Sequence, residues 1–91
     1  MFSVVIPVYN CQETIERVLD SVKDQTRFAL IEEIIVLNDG SSDGTDTVIT
    51  GYLSRHPALP ILYLKHQNHG VSYTRNRGIR AAKAEWIALL D

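Results

Sequence analysis

The chain has 91 residues, 45% apolar and 22% charged, and its nine Lys and Arg against eleven Asp and Glu give a formal net charge of −2. This length holds one small core and excludes a second domain, the apolar share excludes a disordered tail, and the weakly acidic balance offers no basic face to nucleic acid or an anionic membrane. A lone cysteine, Cys11, excludes an intramolecular disulfide and suits a reducing compartment.

Met1-Phe2-Ser3 leads straight into an apolar run, without the basic, apolar and cleavage segments of a signal peptide. No stretch reaches the roughly 20 apolar residues that cross a bilayer. The expected location is cytoplasmic, with any attachment to the cytoplasmic face of a membrane left to segments outside this sequence.

Ser3 to Val8 is rich in Val and Ile and reads as a strand buried on both faces of a parallel sheet. Asn10 is placed to cap the next helix, with Glu13 three residues on completing a capping box, and Ile15, Val18, Leu19 and Val22 form its apolar stripe. Ile34 to Leu37 is the second strand, and Asn38 to Gly44 is a run of turn formers at its end. Asp43 reads as the cap of a second helix with the stripe Val48, Ile49, Tyr52 and Leu53, which must end before Pro57. Pro60 to Leu64 is the third strand. A polar loop around Gln67 to Gly70 precedes a third helix carrying Tyr73, Arg75, Asn76, Ile79 and Ala82, and Trp86 to Leu90 is the fourth strand. The expectation is an α/β fold, βαβαβαβ, with a parallel sheet covered by helices on both faces.

In such a sheet ligands bind beyond the carboxyl ends of the strands, where the winding reverses. The polar residues gather there: Tyr9-Asn10, Asn38 to Ser41, His66 to Gly70, and Asp91. No Gly-x-Gly-x-x-Gly follows the first strand and no Gly-Lys-Ser/Thr is present, so the dinucleotide and phosphate-loop patterns are both missing. Asp39 stands instead beside glycines that allow close approach. Its carboxylate can accept an N–H from a base, and Arg75 can offer a planar pair of donors to phosphate.

Ser-Val-Val-Ile-Pro-Val-Tyr-Asn at 3–10, Asn-Asp-Gly-Ser-Ser-Asp-Gly-Thr at 38–45, Thr-Arg-Asn-Arg-Gly-Ile at 74–79 and Glu-Trp-Ile-Ala-Leu-Leu-Asp at 85–91 together resemble the inverting family-two glycosyltransferases of the GT-A fold. The resemblance covers nearly the whole chain. It implies that Pro7, Val8 and Tyr9 line the base and ribose pocket, that Asp39 binds the base N–H, and that Arg75 lies near the nucleotide. It also implies that Asp91 is the first aspartate of an Asp-x-Asp motif whose second member binds the divalent metal, Mn or Mg, bridging the diphosphate. That second aspartate, the acceptor site and the general base fall outside these residues, so no catalytic residue is expected within the chain. Residues 1–91 are then the nucleotide-sugar-binding N-terminal part of one GT-A domain, cut inside its donor site and inactive alone.

The implied reaction moves a sugar from a nucleotide-diphosphate sugar, a UDP-sugar, to a hydroxyl of a glycan or lipid-linked acceptor with inversion, in cell-surface polysaccharide biosynthesis. The alternative is a non-catalytic nucleotide-binding or interaction module. Two residues depart from the family pattern: Asn38 where aspartate is frequent, and Ala84 where glycine is, which requires the turn there to avoid a left-handed conformation. The residues also have simpler readings. Tyr9 can pack its ring at a strand end, Asp39 can serve the turn alone, and Arg75 can be solvated or paired with Asp39. His66 and His69 read as loop polar groups, and Cys11 as a small residue at a helix start. The fourth strand is apolar on both faces, and as an edge it would promote self-association.

Overall fold

The computed structural model describes residues 1–25 and 30–90. Four strands, β1 (Phe2–Val8), β2 (Ile31–Asp39), β3 (Ile61–His66) and β4 (Trp86–Leu89), alternate with three helices, α1 (Ile15–Gln25), α2 (Thr45–Arg55) and α3 (Val71–Ala81). All pairings are parallel and the strand order is β3-β2-β1-β4. The chain therefore winds outward from β1 to β3 and then crosses back to place β4 on the far side of β1, so the winding reverses between β1 and β4.

Alternation along the two central strands distributes the core. Val4, Ile6, Val8, Ile34 and Val36 face one side and pack with Ile15, Leu19 and Val22 of α1 and Ile49 and Tyr52 of α2. Val5, Ile35 and Leu37 face the other side, under the end of α3 with Ala81 and Ala82. Helices on both faces are as expected, and they explain why these strands read as continuous apolar runs. Gly78 lets α3 lie close on that second face: a Cβ there would collide with Val5 Cγ1 and lie 2.9 Å from Leu37 Cδ1. No helix of the described residues is long and apolar enough to cross a membrane.

Three local expectations are corrected. Asn10 does not cap α1. It sits at φ 47°, and its Oδ1 accepts the N–H of Ser42 at 2.8 Å and of Asp43 at 3.4 Å, while its own N–H donates to Ser41 Oγ at 2.9 Å. The entry to α1 is closed instead by the Cys11 carbonyl, which accepts the N–H groups of Thr14 and Ile15. The capping-box spacing was met, but Asn10 Oδ1 is used across the loop. Secondly, β2 begins at Ile31 and includes Asn38 and Asp39, and β3 includes His66, so these polar residues are strand ends fixed by register and not loop residues. Thirdly, Ala82 is the residue that ends α3, with extended backbone at φ −68° and ψ 136°.

The cap position of α2 is Gly44, one residue after the expected Asp43, whose Oδ1 nevertheless accepts the Thr45 N–H at 2.9 Å in the first turn. The expectation for Ala84 holds. Asn10 is the one non-glycine residue of positive φ among those described, so Ala84 avoids the left-handed region. Ala84 N–H donates to Ser3 Oγ at 3.1 Å, and Ser3 Oγ donates to Glu33 Oε2 at 2.6 Å, which ties the turn before β4 to the two central strands.

Candidate nucleotide site

The carboxyl ends of β1 and β2 place Pro7, Val8, Tyr9 and Asp39 around one small cavity of about 70 Å³, its lining completed by Val71 and Thr74 in the first turns of α3. Four of the six residues singled out from sequence thus meet in space. Tyr9 is 53% exposed at the strand end and is not part of the core. Arg75 follows Thr74 on α3, half-buried, and is not among the residues lining the cavity. Asp91 lies outside the described residues. A second cavity of about 220 Å³ opens on the other side of Pro7 to Tyr9, toward α1 and Leu90, where the winding reverses. A larger depression of about 420 Å³ runs along α1 and another of about 360 Å³ lies before it, lined by Glu13 and Asp43 among others, but neither includes Asp39, and Asp43 is committed to Thr45.

Asp39 is buried at 5% exposure and its hydrogen bonds organise the β3–α3 loop. Oδ1 accepts from His69 N–H at 2.8 Å and contacts His66 Nε2 at 3.1 Å. Oδ2 accepts from Gly70 N–H at 3.1 Å and from Asn68 Nδ2 at 3.2 Å. Burial alone would raise the Asp39 pKa, but the N–H groups of His69 and Gly70, with Thr74 and His66, outweigh it and hold the carboxyl below its ordinary range. Asp39 is therefore an ionised, acceptor-only group. Gly40 brings the two loops together: at φ 68°, a Cβ there would collide with the backbone N of Asn68.

His66 is where the sequence reading falls short, since it expected a loop polar group. His66 is the register partner of Asp39 across β2 and β3. Arg77 Nη1 donates to His66 Nδ1 at 2.7 Å and to the Lys65 carbonyl at 3.1 Å. A guanidinium can only donate, so Nδ1 is the acceptor and the ring proton is on Nε2, facing Asp39 Oδ1 and Thr74 Oγ1, each at 3.1 Å. Thr74 Oγ1 donates in turn to the Gly70 carbonyl at 2.8 Å. Tyr73 packs edge-on to His66 at 5.1 Å between centroids and lies 4.4 Å from the His69 ring. Nothing in residue spacing announces this cluster; its one sequence sign is the polar residues at the ends of adjacent strands.

Asn38, the departure from the family's aspartate, uses its amide. Nδ2 donates to Tyr63 Oη at 3.0 Å, and Oδ1 accepts the Ser41 N–H at 3.0 Å. Tyr63 donates to Asp46 Oδ1 at 2.7 Å, and burial, with Asp46 beside it, pushes its hydroxyl up to about 12. Aspartate could not make the donation to Tyr63. Among the described residues, no group of three or more His, Cys, Asp and Glu side chains is placed to hold a metal ion.

With this geometry in place, comparison with known proteins is decisive. The model of glycosyl transferase family 2 matches residues 3–91. The chain belongs to that family. YibD of Escherichia coli (strain K12), an uncharacterized glycosyltransferase, is 37% identical over 89 residues, covering 98% of this chain and 25% of that protein. The mannosyltransferase PcManGT from Pyrobaculum calidifontis, in complex with GDP-Man and Mn2+, matches with a TM-score of 0.86 at 26% identity, covering 94% of this chain and 25% of that one. S. aureus TarS 1-349 in complex with UDP-GlcNAc matches with a TM-score of 0.81 at 28% identity, covering 99% of this chain and 26% of that one. The four-stranded parallel sheet is thus that of GT-A glycosyltransferases, and this family-2 chain spans about a quarter of the length of each of these relatives.

Proposed function

We propose that this family-2 chain is the nucleotide-binding N-terminal part, residues 1–91, of a single GT-A domain that transfers a sugar from a UDP-sugar to an acceptor hydroxyl with inversion. The observation that carries the reading is the meeting of Pro7, Val8, Tyr9 and an ionised Asp39 around one cavity at the strand ends. In it, Asp39 accepts the base N–H while Pro7, Val8 and Tyr9 enclose the base and ribose. Arg75 serves the phosphates.

One neighbour was solved with GDP-Man and another with UDP-GlcNAc. Uracil and guanine both present a ring N–H that a carboxylate can accept. Uridine is proposed on the family resemblance, and the UDP-GlcNAc complex of one neighbour supports it. Inversion by single displacement and the glycan or lipid-linked acceptor are proposed on the family resemblance, and a cytoplasmic location on the lone Cys11. Asp91 is proposed as the near aspartate of a divalent-metal site, Mn or Mg, whose further ligands and general base belong to residues beyond it; when bound, such a metal offsets charge on the departing diphosphate. The described residues supply no ligand set for it, and the isolated chain is proposed to be inactive.

Calorimetry of the chain with UDP tests this. Weak binding, little changed by Mn or Mg, is expected. Asp39→Ala should weaken it by about tenfold to a hundredfold, because a hydrogen bond to a charged group contributes about 1.5 to 3 kcal/mol. UDP affinity unchanged in a folded Asp39→Ala variant would sink the assignment.

A further inference from the structure

We propose that His66, held by Arg77, positions Asp39 for base recognition, and that an incoming base displaces Asn68 from Asp39 Oδ2. This rests on the reading of Asp39 as the base acceptor and adds residues that the reading does not contain.

A carboxylate offers about four acceptor positions. Those of Asp39 are all taken, by His66 and His69 on Oδ1 and by Asn68 and Gly70 on Oδ2, and the Thr74 hydroxyl adds to the hold on the carboxylate. A base can bind only where one donor gives way. Two of the four are backbone N–H groups at the start of α3, whose loss would undo the loop. His66 is locked from behind, because Arg77 occupies Nδ1 and Thr74 shares the Nε2 proton. Asn68 is different: its side chain is exposed, and Nδ2 retains a second acceptor, the Asp39 carbonyl at 3.1 Å, when it releases Oδ2. Exchange at Oδ2 is therefore the least costly, with Oδ1 held by the Arg77–His66 pair throughout.

The consequence is selectivity. A carboxylate fixed in this way accepts the ring N–H of uracil and repels cytosine, which presents a lone pair at the same ring position. A site built on such a hydrogen bond discriminates more strongly than one built on shape. If His66 loses its hold, Asp39 can turn, and the preference falls although the pocket remains. Loss of packing alone would weaken both nucleotides together.

The test is the ratio of UDP to CDP affinity, measured by calorimetry on the full-length protein, with thermal melting as the control for folding. The unchanged protein is expected to prefer UDP by about tenfold or more. His66→Phe should reduce the preference by about tenfold, whereas His66→Gln, whose amide can donate from the Nε2 position, should keep it within about threefold. Arg77→Met frees the ring to adopt its other tautomer and should lower the ratio in the same direction, which keeps the test open if His66→Phe does not fold. Asn68→Ala should bind UDP at least as tightly as the unchanged protein. Full preference retained in Arg77→Met or a folded His66→Phe, or an Asn68→Ala loss as large as that of Asp39→Ala, overturns the positioning role alone. No preference in the unchanged protein, or one that survives Asp39→Ala, overturns the base-binding role of Asp39 and this inference with it.

Discussion

Asn10 joins the ends of the first two strands through one side chain and one unusual backbone angle. Asparagine tolerates φ near +50° better than most residues, and its amide oxygen serves two N–H groups of the β2–α2 loop. The two contributions can be separated. Asn10→Ala loses the bonds and strains the backbone, so a loss of about 2 kcal/mol is expected. Asn10→Gly loses the bonds and keeps the angle, so about 1 kcal/mol is expected. Chemical denaturation of both variants checks the order; equal stability of all three proteins would show that the loop does not depend on Asn10. Capping-box spacing at residues 10 and 13 pointed to the wrong partner because a side chain chooses among acceptors and donors in space, and the β2–α2 loop lies 31 to 33 residues away in sequence.

At the scale of elements, α3 decides the shape of the site. It supplies Val71 and Thr74 to the cavity and Arg77 to His66, and its height above the sheet is set at Gly78. Adding a methyl group there forces the helix away from Val5 and Leu37. Overpacking costs about 1 to 3 kcal/mol, more than the gain of up to about 1 kcal/mol from replacing a helical glycine by alanine. Gly78→Ala should therefore destabilise the protein, and Gly78→Val should do so further and weaken UDP binding as α3 lifts from the cavity. Melting temperature and calorimetry read the two effects. A more stable Gly78→Ala would mean that helix propensity outweighs the close approach. The helix was legible in the sequence, though not its end at Ala82; the close approach was not, since it depends on which strand residues lie beneath.

For the whole molecule, the outer position of β4 has consequences. Trp86 and Ala88 lie beside Phe2 and Val4 on the α1 side of the sheet, Ile87 and Leu89 beside Ser3 and Val5 on the other, and all four β4 residues are exposed. An apolar strand with one unpaired edge and two uncovered faces is prone to pair with another copy. We propose that the 91-residue chain self-associates through β4. Light scattering across a concentration series should show species larger than a monomer, and Ile87→Lys should shift them toward monomer. A monomer at every concentration would refute this.

The sequence by itself determined the fold class, because runs of Val and Ile alternating with helical stripes admit only a parallel sheet with helices to cover it. It also determined the family, through four motifs in order, and that resemblance brought Pro7, Val8, Tyr9 and Asp39 forward as one group at the strand ends where such sheets bind ligands. Only the tertiary structure decided what Asp39 is bonded to. Register across β2 and β3 sets His66 beside it, and the crossing of α3 over the second face brings Thr74 and Arg77 to His66. Periodicity reports which face a residue takes within its own element, whereas the pairing of two strand ends depends on how far one strand slides past the next, a quantity that this sequence does not express locally.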